Sequence, residues 1–556
     1  MNSLDRNPGF TDRLRNANET LITSSLLNNL KATILSNMKN RWLFVLILSV
    51  LIFSANFWGY PIYILDEAKN AACAMEMYQR SDWVVPTFNN VLRTDKPPLH
   101  YFFMIVAYKA FGVSPFSARF FSVIMGISTC ILIYLFGRRE MNERSGFLAA
   151  LVFICSFQVS IQFHMAVPDP YLIAFITASL LCFYYAHIHN RSSYFYLSYI
   201  SLGLAFLAKG PVAIILVGLP LFIMLLMRRE FNWTILKKIK LLQGIGLFLI
   251  IVLPWWIAVT LQTNGEWVRG FLFEHNLSRF SSTMEGHKGI PGMAIVTLVI
   301  ALLPLSFFLP QSLILAWEKR KDYPLVQLAL IVCVVVILFF SISRTFLPGY
   351  IGPCLPFAAL LLGFYLDHWI SKNTMRLSEW ISFSPGILLS IAIPIVGYFA
   401  LKAEFHIEEI ATNSFLLFPL IIGGTMGLVF VIKKQIEKSI YFMLYTYLIS
   451  SLILFYSVLP AMLNENPVMQ LSPHFTTSSD FAIFKSSNSA FVFNAQRTIP
   501  ILESESEINS FFQNHPAAAV FTRESNLDQL DSSRFHVFRK KDLFENPVTV
   551  VLKKKY

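Results

Sequence analysis

YPIYILDEAKNAACAMEMYQRSDWVVPTFNNVLRTDKPPLHY, residues 60–101, is a polar stretch wedged between strongly apolar segments. It sets Asp66-Glu67 and Asp95-Lys96 beside runs that read as membrane-spanning, where unpaired charge is expensive. Ionisable residues so placed point to a functional site, and the rest of the chain says which face of the membrane they occupy.

The 556 residues are 55% hydrophobic, 15% aromatic and only 14% charged. Soluble domains carry about 25% charged residues, so a large polytopic membrane domain is expected instead. At about 20 apolar residues per helical crossing, about thirteen spans follow. They lie near 42–58, 117–137, 147–165, 170–188, 194–208, 211–227, 241–261, 292–310, 325–342, 350–367, 380–400, 414–432 and 439–460. The first run lacks a small-residue cleavage site and reads as a retained span. The six cysteines show no paired or metal-binding spacing.

Charge then orients the chain. With the N-terminus inside, inner loops hold Arg138-Arg139 with Arg144, Arg191, Arg228-Arg229 with Lys237-Lys238, Lys319-Arg320-Lys321, Lys372 and Lys433-Lys434. Outer loops hold fewer bases, balanced by acids such as Glu266, Glu274, Glu404 and Glu408. This alternation is the positive-inside pattern, and it accounts for the net charge of +12 without nucleic acid. Counting 99–112 as a span would put RREMNER (138–144) outside, so that segment reads as an interfacial helix. The expected organisation is an inner tail at 1–41, a transmembrane domain at 42–460 with interfacial helices in its first outer loop (59–116), and a small outer α/β domain at 461–556. That last region mixes the short apolar runs AFVFNA, AAAVFT and PVTVVLKK with helix-like SEINSFFQNH.

The unusual polar clusters all fall on the outer side, at the ends of spans rather than at mid-membrane where a transporter keeps its charges. Asp66-Glu67 reads either as a helix N-terminus with dipole-favoured acids or as a site for a general base. Lys96, stiffened by Pro97-Pro98, reads as a snorkelling lysine or as a phosphate ligand. Arg269, Arg279, Lys288 and Arg344 are either solvated charges or, with Lys96 and Lys209, the walls of a basic cavity for phosphates. His275, beside Glu274, is one of eleven histidines, and by spacing alone it reads as structural more readily than as metal-binding. Asp169, between two prolines, reads as a cap of the 170–188 helix.

The order of Asp-Glu-Ala after the first span, SDWVVPTFNN, DKPPLHY, LAKGP, FEHNLSRF with HKG, and LPGYIGPCLP resembles the bacterial aminoarabinose transferases of lipid A. These stand with the protein O-mannosyltransferases among the GT-C fold, polyprenyl-phosphate-dependent glycosyltransferases. The resemblance spans roughly residues 40–360. It implies an α-helical polytopic enzyme that moves a sugar, such as 4-amino-4-deoxy-L-arabinose, from undecaprenyl phosphate to lipid A at the periplasmic face of the bacterial inner membrane. A second reading is protein O-glycosylation, and a third is lipid or solute transport. By resemblance Asp66 and Lys96 are the catalytic pair, Lys96 meeting the donor phosphate. Glu67, Lys209, Arg279, Lys288, Arg344 and Tyr350 are substrate-binding, and Asp95 with His275 would hold zinc or another divalent metal. Asp95 stands where the family usually has Glu, and Phe346 where it commonly has Lys, with Arg344 as the stand-in. No nucleotide is expected, since a sugar phosphodiester already carries its leaving group.

Overall fold

The computed structural model describes residues 41–277, 292–404, 407–471, 480–543 and 547–555. The helices run α1 (Arg41–Phe53), α2 (Leu65–Arg80), α3 (Leu99–Phe111), α4 (Pro115–Glu140), α5 (Glu143–Ile154), α6 (Phe157–Phe163), α7 (Asp169–Ile188), α8 (Ser193–Lys209), α9 (Val212–Met227) and α10 (Leu241–Gln262). Beyond residue 291 come α11 (Met293–Ala301), α12 (Leu309–Lys319), α13 (Pro324–Ile342), α14 (Leu355–Lys372), α15 (Leu377–Ala403), α16 (Pro419–Ile432) and α17 (Ile436–Ile453). Among the described residues eight helices are long and apolar enough to cross a membrane, or nine if α5 and α6, which meet at 69°, form one bent span. The protein is therefore a multi-pass helical membrane protein. The expected span at 292–310 is not one helix: α11 ends at Ala301 and α12 starts at Leu309. Pro304 lacks the N–H that a continuous helix needs there, and Pro310 suits a first turn.

Small residues let the bundle close. A Cβ on Gly146 would lie 2.3 Å from the Arg138 backbone nitrogen, and one on Gly363 would lie 2.5 Å from that of Ala149. Helices α4, α5 and α14 thus approach backbone to backbone, the usual device where lipid offers no hydrophobic drive. Helix α3 has 13 residues, about 20 Å at 1.5 Å per residue, too short for a hydrocarbon core of about 30 Å. It packs against α2 and α4 through a face that includes Leu99, Tyr101, Met104, Ile105 and Tyr108.

The C-terminal region folds around a five-stranded mixed sheet. In the order of the chain, β1 (Thr87–Phe88) and β2 (Val91–Leu92) form a separate hairpin, and the sheet comprises β3 (Phe481–Phe484), β4 (Ile501–Leu502), β5 (Ala519–Arg523), β6 (Phe535–Lys541) and β7 (Val548–Lys554). Its strand order is β4-β3-β5-β7-β6, parallel across β4-β3-β5 and antiparallel beyond. Both faces are covered, which is why the central strands are apolar throughout. Phe481, Ile483, Phe521 and Val551 share a core with Ala68, Ala71 and Met75 of α2, while Ala482, Phe484, Val520 and Leu552 pack on Ile508 and Phe512. Of the short apolar runs, AAAVFT and PVTVVLKK supply strands, whereas AFVFN forms the helix Ala490–Asn494.

Hydrogen bonds seat this domain against the loop before α2. Asn494 Nδ2 donates to the Ile62 carbonyl at 3.0 Å, and the Leu543 N–H donates to the Tyr63 hydroxyl at 2.9 Å. The domain is held together by fully buried Asp542, which accepts from Arg523 (2.6 Å), Asn488 (2.7 Å) and Thr549 (2.6 Å). Asp542→Ala strands three donors, so a loss of about 2–3 kcal/mol in unfolding free energy is expected in denaturant titration. A variant within 0.5 kcal/mol of wild type, a typical exposed-site effect, would contradict this account.

Candidate active site

The acidic pair divides its labour. Asp66 and Glu67 occupy the first turn of α2, Asp66 exposed and Glu67 2% exposed. Both Glu67 oxygens meet Arg119 of α4, at 2.7 and 2.8 Å, and Oε1 also accepts the Ala166 N–H at 2.8 Å. Arg119 is fully buried, donates to the carbonyls of Phe57, Tyr60 and Pro61, and lies 4.2 Å from the Tyr60 ring centre. Sequence reasoning passed over Arg119, although a lone arginine inside an expected span (117–137) signals a buried acidic partner. The pair fixes the start of α2 against the segment leading into α7 and so sets where Asp66 stands.

The loop to Lys96 is built on a hairpin. Asn89 and Asn90 both have positive φ (52° and 63°) between β1 and β2, as a tight type I′ turn demands. Buried Glu76 holds it by accepting from Thr87 Oγ1 (2.6 Å) and the N–H groups of Asn89 (2.5 Å) and Asn90 (3.1 Å). Next, Arg93 is buried against Asn70 Oδ1 (3.3 Å) and the Tyr101 hydroxyl (3.2 Å). Its guanidinium meets Asp95 Oδ2 at 3.1 Å, and Asp95 Oδ1 meets His275 Nε2 at 3.0 Å. Lys96 follows, 8% exposed. Burial alone would raise the Asp95 carboxyl, but the His275 hydrogen bond and the Arg93 and Lys96 charges outweigh it and hold it well below the usual range. Burial first, then Arg93 and Lys96, keep the His100 imidazole far below its ordinary value and hence neutral. Arg93 and Asn70 were also missed; their only signal was a charge and an amide inside the polar stretch.

A second cluster joins the opposite ends of two adjacent helices. Lys209, the last residue of α8, is ion-paired with Asp169, the first of α7, and its Nζ lies 4.9 Å from the Tyr350 ring centre. The expected capping role of Asp169 is therefore corrected: the α7 N-cap is Pro168 without a side-chain cap, because the carboxylate is engaged by Lys209. Phe346 is buried against Tyr350, with ring centres 6.2 Å apart, and Arg344 is exposed just before it. The clusters abut at Gly210, where a Cβ would meet Phe271 at 2.6 Å, four residues from His275. Positive φ (83°) and that contact both exclude a side chain there.

Asp66, Lys96, Asp95, His275, Lys209 and Tyr350 thus gather at one end of the bundle. Glu67 lies behind them, and Arg279 and Lys288 fall outside the described residues. Chemically the arrangement offers buried cations for an anion, Lys96 and Arg93 among them, and an exposed carboxylate, Asp66, in the first turn of α2. For a metal, Asp95 and His275 supply two donors already hydrogen-bonded to each other. Among the described residues no group of three or more His, Cys, Asp or Glu is assembled, and a structural zinc takes four ligands.

Comparison with known proteins agrees with this architecture. The sequence model of the dolichyl-phosphate-mannose-protein mannosyltransferase family matches residues 95–257. The chain is 31% identical over 384 residues to the undecaprenyl phosphate-α-4-amino-4-deoxy-L-arabinose arabinosyl transferase of Pseudomonas aeruginosa, covering 67% of this chain and 68% of that protein. It is 30% identical to arabinosyl transferase 2 of Proteus mirabilis over 60% of this chain, a match spanning only 61% of that relative's length. The crystal structure of ArnT from Cupriavidus metallidurans bound to undecaprenyl phosphate superposes with a TM-score of 0.74 at 18% identity, covering 92% of this chain and 98% of that one. The shared architecture is the expected GT-C type, with a helical membrane bundle and a small C-terminal sheet domain. On the fold and the Pseudomonas match together, the chain belongs to the undecaprenyl phosphate-aminoarabinose arabinosyl transferase family.

Proposed function

We propose that this protein is a glycosyltransferase that moves an amino sugar, 4-amino-4-deoxy-L-arabinose, from undecaprenyl phosphate to lipid A at the periplasmic face of the inner membrane. The N-terminus is then cytoplasmic, and the C-terminal domain, which packs on the loop before Asp66, is periplasmic. The observation that carries the reading is buried Lys96, set between Asp95 and neutral His100 at the end of the bundle that also holds Asp66 and Lys209. In the reaction the bond between the sugar's anomeric carbon and the donor phosphate oxygen breaks, and its electron pair stays on the lipid phosphate. An acceptor oxygen bonds to the anomeric carbon in its place. Lys96 stabilises the charge that grows on the departing phosphate, an effect largest where water is excluded. Lys209, Arg344 and Tyr350 line the approach, and Arg279 and Lys288 are proposed to add to it. Glu67 acts by holding the start of α2. With a lipid A phosphate as acceptor the nucleophile is already anionic, and Asp66 orients it or the sugar. With a hydroxyl acceptor Asp66 must take a proton.

Lipid A is extracted from the host with and without the gene and weighed by mass spectrometry. The expected result is one added amino sugar that disappears on deletion. Unchanged lipid A beside lost glycosylation of envelope proteins would favour protein O-glycosylation, the reading that the mannosyltransferase match at 95–257 supports.

A zinc or other divalent ion at Asp95 and His275 would find two protein donors among the described residues and would polarise the donor phosphate. Without an ion the Asp95 carboxylate is satisfied by His275 Nε2 and Arg93, and His275 Nδ1 is left without a hydrogen-bond partner among the described residues. Transfer is therefore expected to survive EDTA within about twofold, less than 1 kcal/mol of barrier. Loss on chelation with recovery on added zinc would establish the metal instead.

A further inference from the structure

The far end of α7 bears a cavity of about 500 Å³, lined by His187, Arg228, Arg229, Glu230, Asn232 and Lys238 among others. Helix α7 has 20 residues, about 30 Å, so His187 lies roughly one bilayer thickness from Asp169. Helix α13 repeats the relation, with Pro324 at this cavity and Ser343-Arg344 beyond its other end. From this we infer a binding pocket for an anionic phospholipid headgroup in the leaflet opposite the active site.

The charges favour a phosphate. Glu230 is the cavity's carboxylate and is already committed, to His187 Nε2 at 2.5 Å and to Arg228 Nε at 3.2 Å. Among the described residues Arg229 and Lys238 have no carboxylate partner, and Lys238 Nζ rests 3.3 Å from the His187 carbonyl. His187 is 6% exposed, and its Nδ1 has no hydrogen-bond partner among the described residues. Two cations at one cavity, neither with a carboxylate partner, are an arrangement that a phosphodiester would complete. The surroundings favour a lipid over a free ion. Trp233 is 83% exposed and Leu242 86%, with Phe231 beside them, side chains suited to the headgroup boundary and the acyl chains beneath it.

The test uses the full chain in detergent, offered dioleoylphosphatidylglycerol or dioleoylphosphatidylcholine, with bound lipid counted by native mass spectrometry. Phosphatidylglycerol adducts are expected to predominate and to fall about thirtyfold in the double variant Arg229→Gln with Lys238→Gln, the scale set by two cations near an anionic headgroup. Lys237→Gln with Lys240→Gln removes the same charge outside the cavity and should leave adducts within about twofold. Equal losses in the two double variants would reduce the binding to general surface electrostatics and overturn the pocket. Displacement of the lipid by millimolar inorganic phosphate would overturn the headgroup assignment, and equal retention of phosphatidylcholine would overturn the charge argument. Unchanged gel-filtration profiles show that the variants fold.

Discussion

Lys96→Ala is expected to lower sugar transfer about 10²–10³-fold, the loss seen when a single preorganised donor to developing negative charge is removed. The magnitude follows from where Lys96 sits. At 8% exposure it works in a medium of low effective dielectric, where charge stabilisation is far stronger than in water. Asp95, its neighbour, is held ionised by His275 and Arg93. The loss should fall mainly on kcat, because the charge develops as the glycosidic bond breaks. Lys96→Arg keeps the charge but carries a planar fork in place of a compact ammonium, so an intermediate loss is expected, about tenfold. Purified protein, lipid-linked donor and lipid A in detergent, read by mass spectrometry, give the rates. A Lys96→Ala enzyme within about tenfold of wild type would remove this residue from the leaving-group role.

Much of this site was legible in the sequence for a specific reason. A polar stretch beside a membrane has few physical excuses, and the positive-inside pattern of the loops assigns the motifs from Asp66 to Tyr350 to one side of the membrane. What stayed hidden was pairing across long sequence gaps. Asp169 read as a helix cap because its local context is that of one, and only the packing of α7 on α8 reveals Lys209 beside it. Glu67 read as half of a substrate-facing pair, since nothing local says that its side chain turns inward while Asp66 turns out. The break between α11 and α12 was readable at Pro304, where hydropathy alone suggested one continuous span. The count of crossings stays between composition and geometry, because α1 and α9 are apolar but short.

Arg119→Leu should be the most destabilising single change in the membrane domain, with about 3–5 kcal/mol lost, the scale for removing one partner of a buried ion pair. Three carbonyls would lose their donor, and Glu67, 2% exposed, would be left as an uncompensated charge. Arg119→Lys would not rescue it, because one ammonium cannot span both Glu67 oxygens and the carbonyls of Phe57, Tyr60 and Pro61. The double variant Glu67→Leu with Arg119→Leu separates stability from function. Removing both charges eliminates the stranded carboxylate, so the double variant should be more stable than Arg119→Leu, although the carbonyls remain unpaired. Transfer should stay low in both: Arg119→Leu loosens the start of α2, and the double variant also takes the acceptor from the Ala166 N–H, so neither keeps the full anchor that positions Asp66. Thermal unfolding in detergent and transfer rates on the same preparations decide the matter. A double variant less stable than either single would mean that the pair is held by packing rather than by charge. Recovered transfer in the double variant would mean that Asp66 does not depend on this anchor.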